Sequence, residues 1–160
     1  MKYRKPAVAG SFYPGNSAAL SGMISKYLDD AAADPFDAGG RVCGIISPHA
    51  GYIYSGPVAA CGYRLLEGKS FDGFAVFAPS HRGRFKGASV MPEGFYSTPL
   101  GDVEIDSELA DAVLENEYFG YLREIDELEH SLEVQVPFLQ TVSHNFKILP
   151  VVMGTTDTAL

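Results

Sequence analysis

Cysteine, basic side chains and long apolar runs are all scarce in this sequence of 160 residues. Its two cysteines, Cys43 and Cys61, form no CxxC pair, so a disulfide scaffold is not expected. Lys and Arg number 12 against 20 Asp and Glu, which gives a formal net charge of -8. Surfaces that bind nucleic acid or anionic membranes need clustered cations, and the basic residues here are scattered. We therefore expect no nucleic-acid partner and no membrane partner.

The N-terminus lacks the pattern of a targeting segment. Residues 1–5 are basic, but the "PAVAGSFYPG" that follows is too short and too rich in Gly and Pro for a signal peptide. No stretch reaches the length of a membrane span, and a reducing cytoplasm fits the cysteine usage. With 46% hydrophobic residues, the chain is long enough to bury one sizeable core in a single domain. The sequence leaves the oligomeric state open, including a homo-oligomer.

Two helices are indicated in the first half of the chain. Ser17 can cap the first, whose apolar positions recur every three or four residues: Leu20, Met23, Ile24, Tyr27 and Leu28. The second is expected to have Ser55 or Gly56 as its cap and Pro57 at its first position. Its expected apolar face comprises Val58, Cys61, Gly62, Leu65 and Leu66.

Strand patterns surround the second helix. "RVCGIIS" at residues 41–47, after a turn-rich stretch at 33–40, reads as a strand buried on both faces, and "GFAVFA" at 73–78 reads as another. A helical crossover between them predicts that the two strands are parallel.

The second half continues the alternation. "GASVMPEGFYSTPLGDVEI" suggests two short strands with a turn, and "DSELADAVLEN" a short helix capped by Asp106 or Ser107. "FKILPVVMG" reads as a strand, and the "TTDTAL" after it as the start of a helix. We therefore predict an α/β fold, with a mixed, largely parallel sheet and helices packed on its faces.

Two histidines occupy equivalent places after these apolar runs. His49 in "SPHAG" follows the first predicted strand and His81 in "APSH" follows the second. Open α/β sheets bind ligands beyond the carboxyl ends of their strands, and two imidazoles there form a plausible pair of transition-metal ligands. Tyr52 and Tyr54 could face a substrate in the same crevice. Solvated loop histidines and tyrosines packed over a strand end are the structural alternatives.

The segment "DELEHSLEVQVPFLQ" at residues 126–140 has an ambiguous period. Leu132, Val136 and Leu139 suit a helix, while alternate apolar residues suit a strand. In a helix, Glu129, His130 and Glu133 can face one pocket, whereas in a strand His130 faces away from both glutamates. An acidic, solvated helix start is the alternative without a function.

Six segments together resemble the Memo family, also called AmmeMemoRadiSam system protein B. They are "AVAGSFYP", "SPHAGYIYSG", "APSH", "STPLGDVEID", "DELEHSLEVQVPFLQ" and "ILPVVMG", in this order across the chain. The resemblance implies the fold of class III non-haem iron extradiol dioxygenases. It identifies His49 and His81 as metal ligands and places Glu129 and His130 beside the site, which favours the helical interpretation of that segment.

The resemblance also implies that part of the domain is missing. Family members have a further metal-ligand cysteine, and an Asp/His segment, in a half that would follow Leu160. Neither Cys43 nor Cys61 matches that cysteine's motif. We therefore expect residues 1–160 to be the N-terminal part of a single Memo-like domain.

Three functions follow as competing hypotheses. In the first, a redox enzyme holds a divalent transition metal through His49 and His81, iron before copper or zinc, with His130 exchanging a proton and Glu129 orienting an imidazole. In the second, a non-catalytic module binds an anionic or phosphorylated peptide at a helix N-terminus. In the third, a metal-dependent hydrolase uses Glu129 as base, although no HExxH spacing supports it. The substrate, a small molecule or a peptide, is not indicated.

Overall fold

Seven strands and five α-helices occur in residues 2–32 and 40–154, which the computed structural model describes. The strands are β1 Tyr3–Arg4, β2 Gly73–Pro79, β3 Ala88–Val90, β4 Phe95–Thr98, β5 Gly101–Glu104, β6 Phe119–Gly120 and β7 Lys147–Met153. The helices are α1 Ser17–Ala32, α2 Tyr52–Tyr63, α3 Ser107–Leu114, α4 Arg123–Asp126 and α5 Val136–Val142, with 3₁₀ turns at Arg64–Leu66 and Glu133–Gln135. The turn predicted at 33–39 and the helix start predicted after Gly154 lie outside the described residues.

The strands form two mixed sheets. One has the order β2-β7-β3-β6 and the other β1-β4-β5. Strand β7 runs parallel to β2 over the full length from Gly73↔Lys147 to Pro79↔Met153, but antiparallel to β3. In the smaller sheet β4 is parallel to β1 and antiparallel to β5. The α/β class and the mixed pairing are confirmed, whereas the expected single, largely parallel sheet is divided in two.

Helix α1 follows its predicted period. Leu20, Ile24 and Leu28 are buried in the core, as the spacing of apolar residues requires. The cap is Asn16 and not Ser17, because the Asn16 side-chain oxygen accepts from the Ala19 N–H at 3.0 Å.

Helix α2 begins five residues earlier than predicted. Pro57 lies inside it, and Gly51 precedes its first residue. The start is set by a tertiary contact, since the Tyr52 N–H donates to the Phe12 carbonyl at 2.8 Å. The buried face also differs from the prediction: Val58 and Cys61 are exposed, and the buried positions are Tyr52, Ser55, Gly56, Ala59, Ala60 and Tyr63.

Close packing between α1 and α2 explains that buried face. A Cβ atom at Gly56 would lie 2.4 Å from the ring of Tyr27, so only glycine allows the two helices to approach this closely. Small residues therefore share the inward face of α2 with Tyr52 and Tyr63, while Val58 faces solvent.

The strand predicted at residues 41–47 is wrong. Residues 41–49 form no strand, and Ile46 is fully exposed, although Val42 and Ile45 pack partly against the core. An apolar run indicates burial but supplies no hydrogen-bond partner, and within the described ranges no strand lies beside this segment. The parallel pairing expected between 41–47 and 73–78 is therefore also wrong, and the parallel partner of β2 is β7.

The ambiguous segment at 126–140 is helical where it is regular. The 3₁₀ turn Glu133–Gln135 leads directly into α5, in which Pro137 occupies the first turn, where its missing N–H is tolerated. Residues 127–132, which include Glu129 and His130, form an irregular connection.

The neighbouring predictions are largely confirmed. Residues 88–104 contain three short strands instead of two, and Asp106 caps α3 by accepting from the Leu109 N–H at 3.1 Å.

Cys43 and Cys61 are free thiols. None of the helices described is long and apolar enough to cross a bilayer.

A buried ion pair joins the N-terminal segment to the start of α5. The Arg4 guanidinium donates to the Glu133 carboxylate, and neither side chain is more than 1% exposed. Glu133 also accepts from the N–H groups of Ala7 (2.8 Å) and Val8 (3.0 Å) and from the Tyr13 hydroxyl (2.6 Å). These donors compensate the loss of water around the buried charge.

We predict that Glu133→Gln lowers the free energy of unfolding by about 3 kcal/mol, because it leaves the buried Arg4 charge without its counterion. Glu93→Gln is the control, since Glu93 pairs with Lys2 at the surface and exposed pairs contribute little. Urea unfolding of both variants measures the difference. Equal midpoints for the two variants would contradict the importance of the buried pair.

Candidate metal site at the end of strand β2

Three histidines from separate segments lie around one pocket. His81 follows the carboxyl end of β2, His49 lies in the loop before α2, and His130 lies in the connection after α4. The ring centroids are 5.1 Å apart for His49 and His81, 4.5 Å for His81 and His130, and 6.3 Å for His49 and His130. The structure thus brings together the two predicted ligands and adds His130 to them.

Glu129 lies behind the histidines with its carboxylate buried. Only 1% of its side chain is exposed. One oxygen accepts from the N–H groups of His130 at 2.8 Å and Ser131 at 2.9 Å and contacts His81 Nδ1 at 3.0 Å, and the other accepts from the His81 N–H. Burial raises the pKa of Glu129, but the hydrogen bonds from Ser131 and His81 outweigh it and lower that pKa to about 2.

The ionised Glu129 determines the tautomer of His81. A carboxylate with this low pKa only accepts hydrogen bonds, so His81 Nδ1 carries the hydrogen that lies between them. In the neutral ring, Nε2 then keeps its lone pair. Metal-binding histidines commonly have this arrangement, in which a second-layer carboxylate fixes the ring and leaves the other nitrogen as the ligand.

The other two histidines favour their neutral forms. Burial and the neighbouring His81 lower the pKa of His49. Burial also lowers the pKa of His130, with smaller contributions from His81 and His49, and these outweigh the opposite effect of Glu129. Neutral imidazoles offer a nitrogen lone pair near neutral pH, as metal coordination requires.

A group of ligand atoms that could hold one ion lies at this pocket and in the buried layer behind it. One ligand atom from each of His81, Glu129 and His130 lies within 4.8 Å of the others. His49 adds a third imidazole at the ring distances given above. Of the predicted catalytic pair, Glu129 is already saturated by hydrogen bonds, while His130 is partly exposed to the pocket.

The pocket has a volume of about 580 Å³ and is open to solvent. It is lined by Phe12, Pro48, His49, Ala50, Gly51, Tyr54, His81 and His130. Among the residues that the structure describes, no carboxylate and no Lys or Arg side chain lines the pocket, so its polar side chains are those of the three histidines and Tyr54.

The two tyrosines predicted to face a substrate lie in different environments. Tyr54 lines the pocket and is 80% exposed, so its substrate-binding role stays a prediction. Tyr52 is corrected: it is 2% exposed, and its hydroxyl donates to the Val134 carbonyl at 2.8 Å in the core. Residues two positions apart in a helix lie on roughly opposite faces, and here Tyr52 lies on the buried face.

Sequence reasoning missed two contributors and misplaced a third. Phe12 packs against His130 with ring centroids 4.7 Å apart, and the Ser131 hydroxyl donates to the Pro79 carbonyl at 2.7 Å at the end of β2. Glu133 was expected to share a pocket with Glu129 and His130, but it turns toward Arg4 and the N-terminal segment. Phe12 lies within "AVAGSFYP", one of the six segments that carry the family resemblance, and no other feature of the sequence indicated that Phe12 lies at the pocket.

Comparisons with known proteins find a family match along almost the whole chain. A family profile described as "Memo-like protein" matches residues 4–160. The chain is similar to MEMO1 family proteins of Methanothermobacter thermautotrophicus, 45% identical over 156 residues, and Nitrosopumilus maritimus, 40% identical over 157 residues. Each alignment covers 94% of this chain and 56% of the relative. A MEMO1 family protein of Thermoplasma acidophilum is 40% identical over 156 residues, covering 96% of this chain and 57% of its own. The chain therefore spans little more than half the length of these relatives.

We predict a pH-dependent contribution of Glu129 to stability. Its folded pKa of about 2 lies below the ordinary value of 4.5, so the ionised form stabilises the fold above pH 4.5 and this stabilisation is lost as the pH falls toward 2. Glu129→Gln should cost about 3 kcal/mol at neutral pH, and the difference from the native chain should shrink in acid. Denaturant unfolding in chelator at several pH values measures it.

Glu115→Gln, which removes a carboxylate from the exposed surface, serves as the control and should follow the native chain at every pH. A cost of Glu129→Gln that stays constant between neutral and acid pH would show that the carboxylate charge is not what stabilises this turn.

Proposed function

Since the chain belongs to the Memo family, we propose that it binds a divalent transition metal through imidazole nitrogens of His49, His81 and His130. The observation that carries this proposal is the convergence of three imidazoles, one of them held by a buried carboxylate, at the end of a parallel strand.

The donor set fits a transition metal. His49 and His130 have lowered pKa values, and the His81 ring, bonded to Glu129 through Nδ1, keeps Nε2 as a donor, so up to three nitrogen donors are available. Imidazole suits iron, copper and zinc, whereas magnesium and calcium prefer oxygen. Iron remains our first expectation, with copper or zinc as the alternatives.

Glu129 is proposed as the residue that orients His81, in preference to acting as a ligand. Both of its oxygens already accept hydrogen bonds from the His81, His130 and Ser131 N–H groups. Moving the carboxylate to an ion would break these bonds inside a buried environment. Its effect on a metal is therefore exerted through the imidazole that it holds.

We further propose that the whole protein is a non-haem metal-dependent oxidoreductase with a dioxygenase-like arrangement, acting in the cytoplasm. A bound iron or copper ion would supply redox chemistry and a site for dioxygen or substrate. If His49 and His81 alone bind the ion, His130, which lies in the pocket and packs against Phe12, is the group placed to hold or transfer a proton. Tyr54 and Phe12 would contact an apolar part of the substrate.

The peptide-binding alternative has less support at this pocket. The N–H groups of Tyr52, Tyr54 and Ser55 at the start of α2 already donate to carbonyls of Phe12 and Gly51. Among the described residues, no Lys or Arg side chain lines the pocket to pair with a phosphate, and the nearby Arg82 donates to the Leu128 carbonyl. The hydrolase alternative requires a free carboxylate base, and the hydrogen bonds to Glu129 make it a poor one.

We predict that His81→Ala and His130→Ala each weaken metal binding at least about tenfold, since each removes one nitrogen donor. His49→Ala should act in the same direction. The measurement is the dissociation constant for Fe(II), Cu(II) and Zn(II) under anaerobic equilibrium dialysis, with bound metal counted by mass spectrometry.

His144→Ala is the matched control, because the fourth histidine is exposed and lies outside the pocket. It should keep the native affinity for each metal. If the three pocket variants retained the same metal content as His144→Ala, this pocket would not be the binding site.

A further inference from the structure

We propose that Arg4 is a positioning residue for this site: it holds the turn at residues 126–129, and through Glu129 it fixes the ring of His81. The importance of this role for metal binding rests on the proposed function. The role itself rests on contacts that link the first strand to the pocket.

Every N–H group of the Arg4 side chain makes a hydrogen bond. Nε donates to the Asp126 carbonyl at 3.3 Å, and Nη2 donates to the same carbonyl at 3.2 Å and to the Glu129 carbonyl. Nη1 donates to the Lys5 carbonyl at 3.2 Å and to the Glu133 carboxylate. Three of the five bonds therefore reach the turn that carries Glu129 and His130, and one reaches the counterion.

The turn depends on such bonds because regular structure does not hold it. Residues 127–132 belong to neither helix nor strand, and the backbone bonds of Leu128 to Ile125 and of Glu129 to Asp126 are long, at 3.3 and 3.4 Å. Other hydrogen bonds to this segment include those of Arg82, whose Nε donates to the exposed Leu128 carbonyl, Ser131, whose hydroxyl donates to the Pro79 carbonyl, and Gln135, whose Nε2 donates to the Ser131 carbonyl. Arg4 is the buried anchor at the Glu129 backbone itself.

The position of Arg4 is itself rigid. The residue is 2% exposed, pairs through β1 with β4, and places its guanidinium 4.5 Å from the centre of the Tyr96 ring. Arg4 donates to the backbone carbonyl of Glu129. The carboxylate of the same Glu129 contacts Nδ1 of His81, a pocket residue, at 3.0 Å. A lysine ammonium at this position could keep a charge beside Glu133, but it lacks the planar fork that reaches both carbonyls.

A purely structural role is the competing explanation, in which Arg4 matters only as the counterion of Glu133. The two roles can be separated, because Glu133→Gln removes the ion pair while Arg4 can still donate to the Asp126 and Glu129 carbonyls. Arg4→Lys keeps a positive charge beside Glu133 but loses the hydrogen bonds to these two carbonyls. Glu133→Gln is therefore the control for loss of stability without loss of the turn's anchor.

The test compares the native protein, Arg4→Lys and Glu133→Gln in the metal-free state by ¹⁵N NMR of the histidine rings, at about pH 8.5, where imidazoles are neutral. We expect His81 to be an Nδ1–H tautomer in the native protein and in Glu133→Gln, and a mixture of tautomers in Arg4→Lys. In parallel, the Zn(II) dissociation constant should rise roughly tenfold in Arg4→Lys and stay within about twofold in Glu133→Gln.

Should Arg4→Lys not fold, the double variant Arg4→Met/Glu133→Gln, which leaves no uncompensated buried charge, is compared with Glu133→Gln alone. An unchanged His81 tautomer in the Arg4 variants, or an equal change in Glu133→Gln, would overturn the positioning role. If the native protein bound no metal while the Arg4 variants still changed the His81 tautomer, the proposed function would fail and the positioning role would stand.

Discussion

A fully buried glutamate at the start of α5 constrains much of this fold. Glu133 has no exposed surface, so its charge needs several hydrogen-bond donors, and all of them come from the first 13 residues: Arg4, Ala7, Val8 and Tyr13. This requirement holds the N-terminal segment against α5. The same Arg4 also binds the backbone before α5, so the charge that neutralises Glu133 also supports the turn beside the pocket.

The pocket is assembled where three irregular segments meet the end of one regular strand. The parallel pairing of β2 with β7 fixes the carboxyl end of β2, and His81 lies just beyond it. The Ser131 hydroxyl bonds to the last residue of that strand, and the Phe12 carbonyl receives the first N–H of α2. The strand pairing and the two hydrogen bonds hold the irregular segments around the pocket against regular elements. A site built on loops keeps a defined geometry in this way.

The family match and the geometry of the pocket support different parts of the interpretation: the match identifies the family, and the geometry groups the candidate ligands. The family match covers residues 4–160, and the resemblance to this family led to the expectation that His49 and His81 bind a metal. The structure groups His81, Glu129 and His130 and places His49 next to them, which makes metal binding chemically reasonable. Because the relatives are nearly twice as long, the activity of the whole protein is a proposal that extends beyond the residues described.

The sequence by itself determined the features that depend on local pattern. These are the α/β class, the amphipathic α1, the strands β2 and β7, a cap of α3 at Asp106 or Ser107, and the candidate ligands His49 and His81, while the family resemblance placed Glu129 and His130 beside them. Tertiary structure decided whether 41–47 became a strand, where α2 began, and that Tyr52 was buried while Tyr54 lined the pocket. It also decided that Glu133 faced Arg4, 129 positions away. The physical reason is that strand pairing, helix starts and buried charges each need a partner, and periodicity does not reveal a partner distant in the chain.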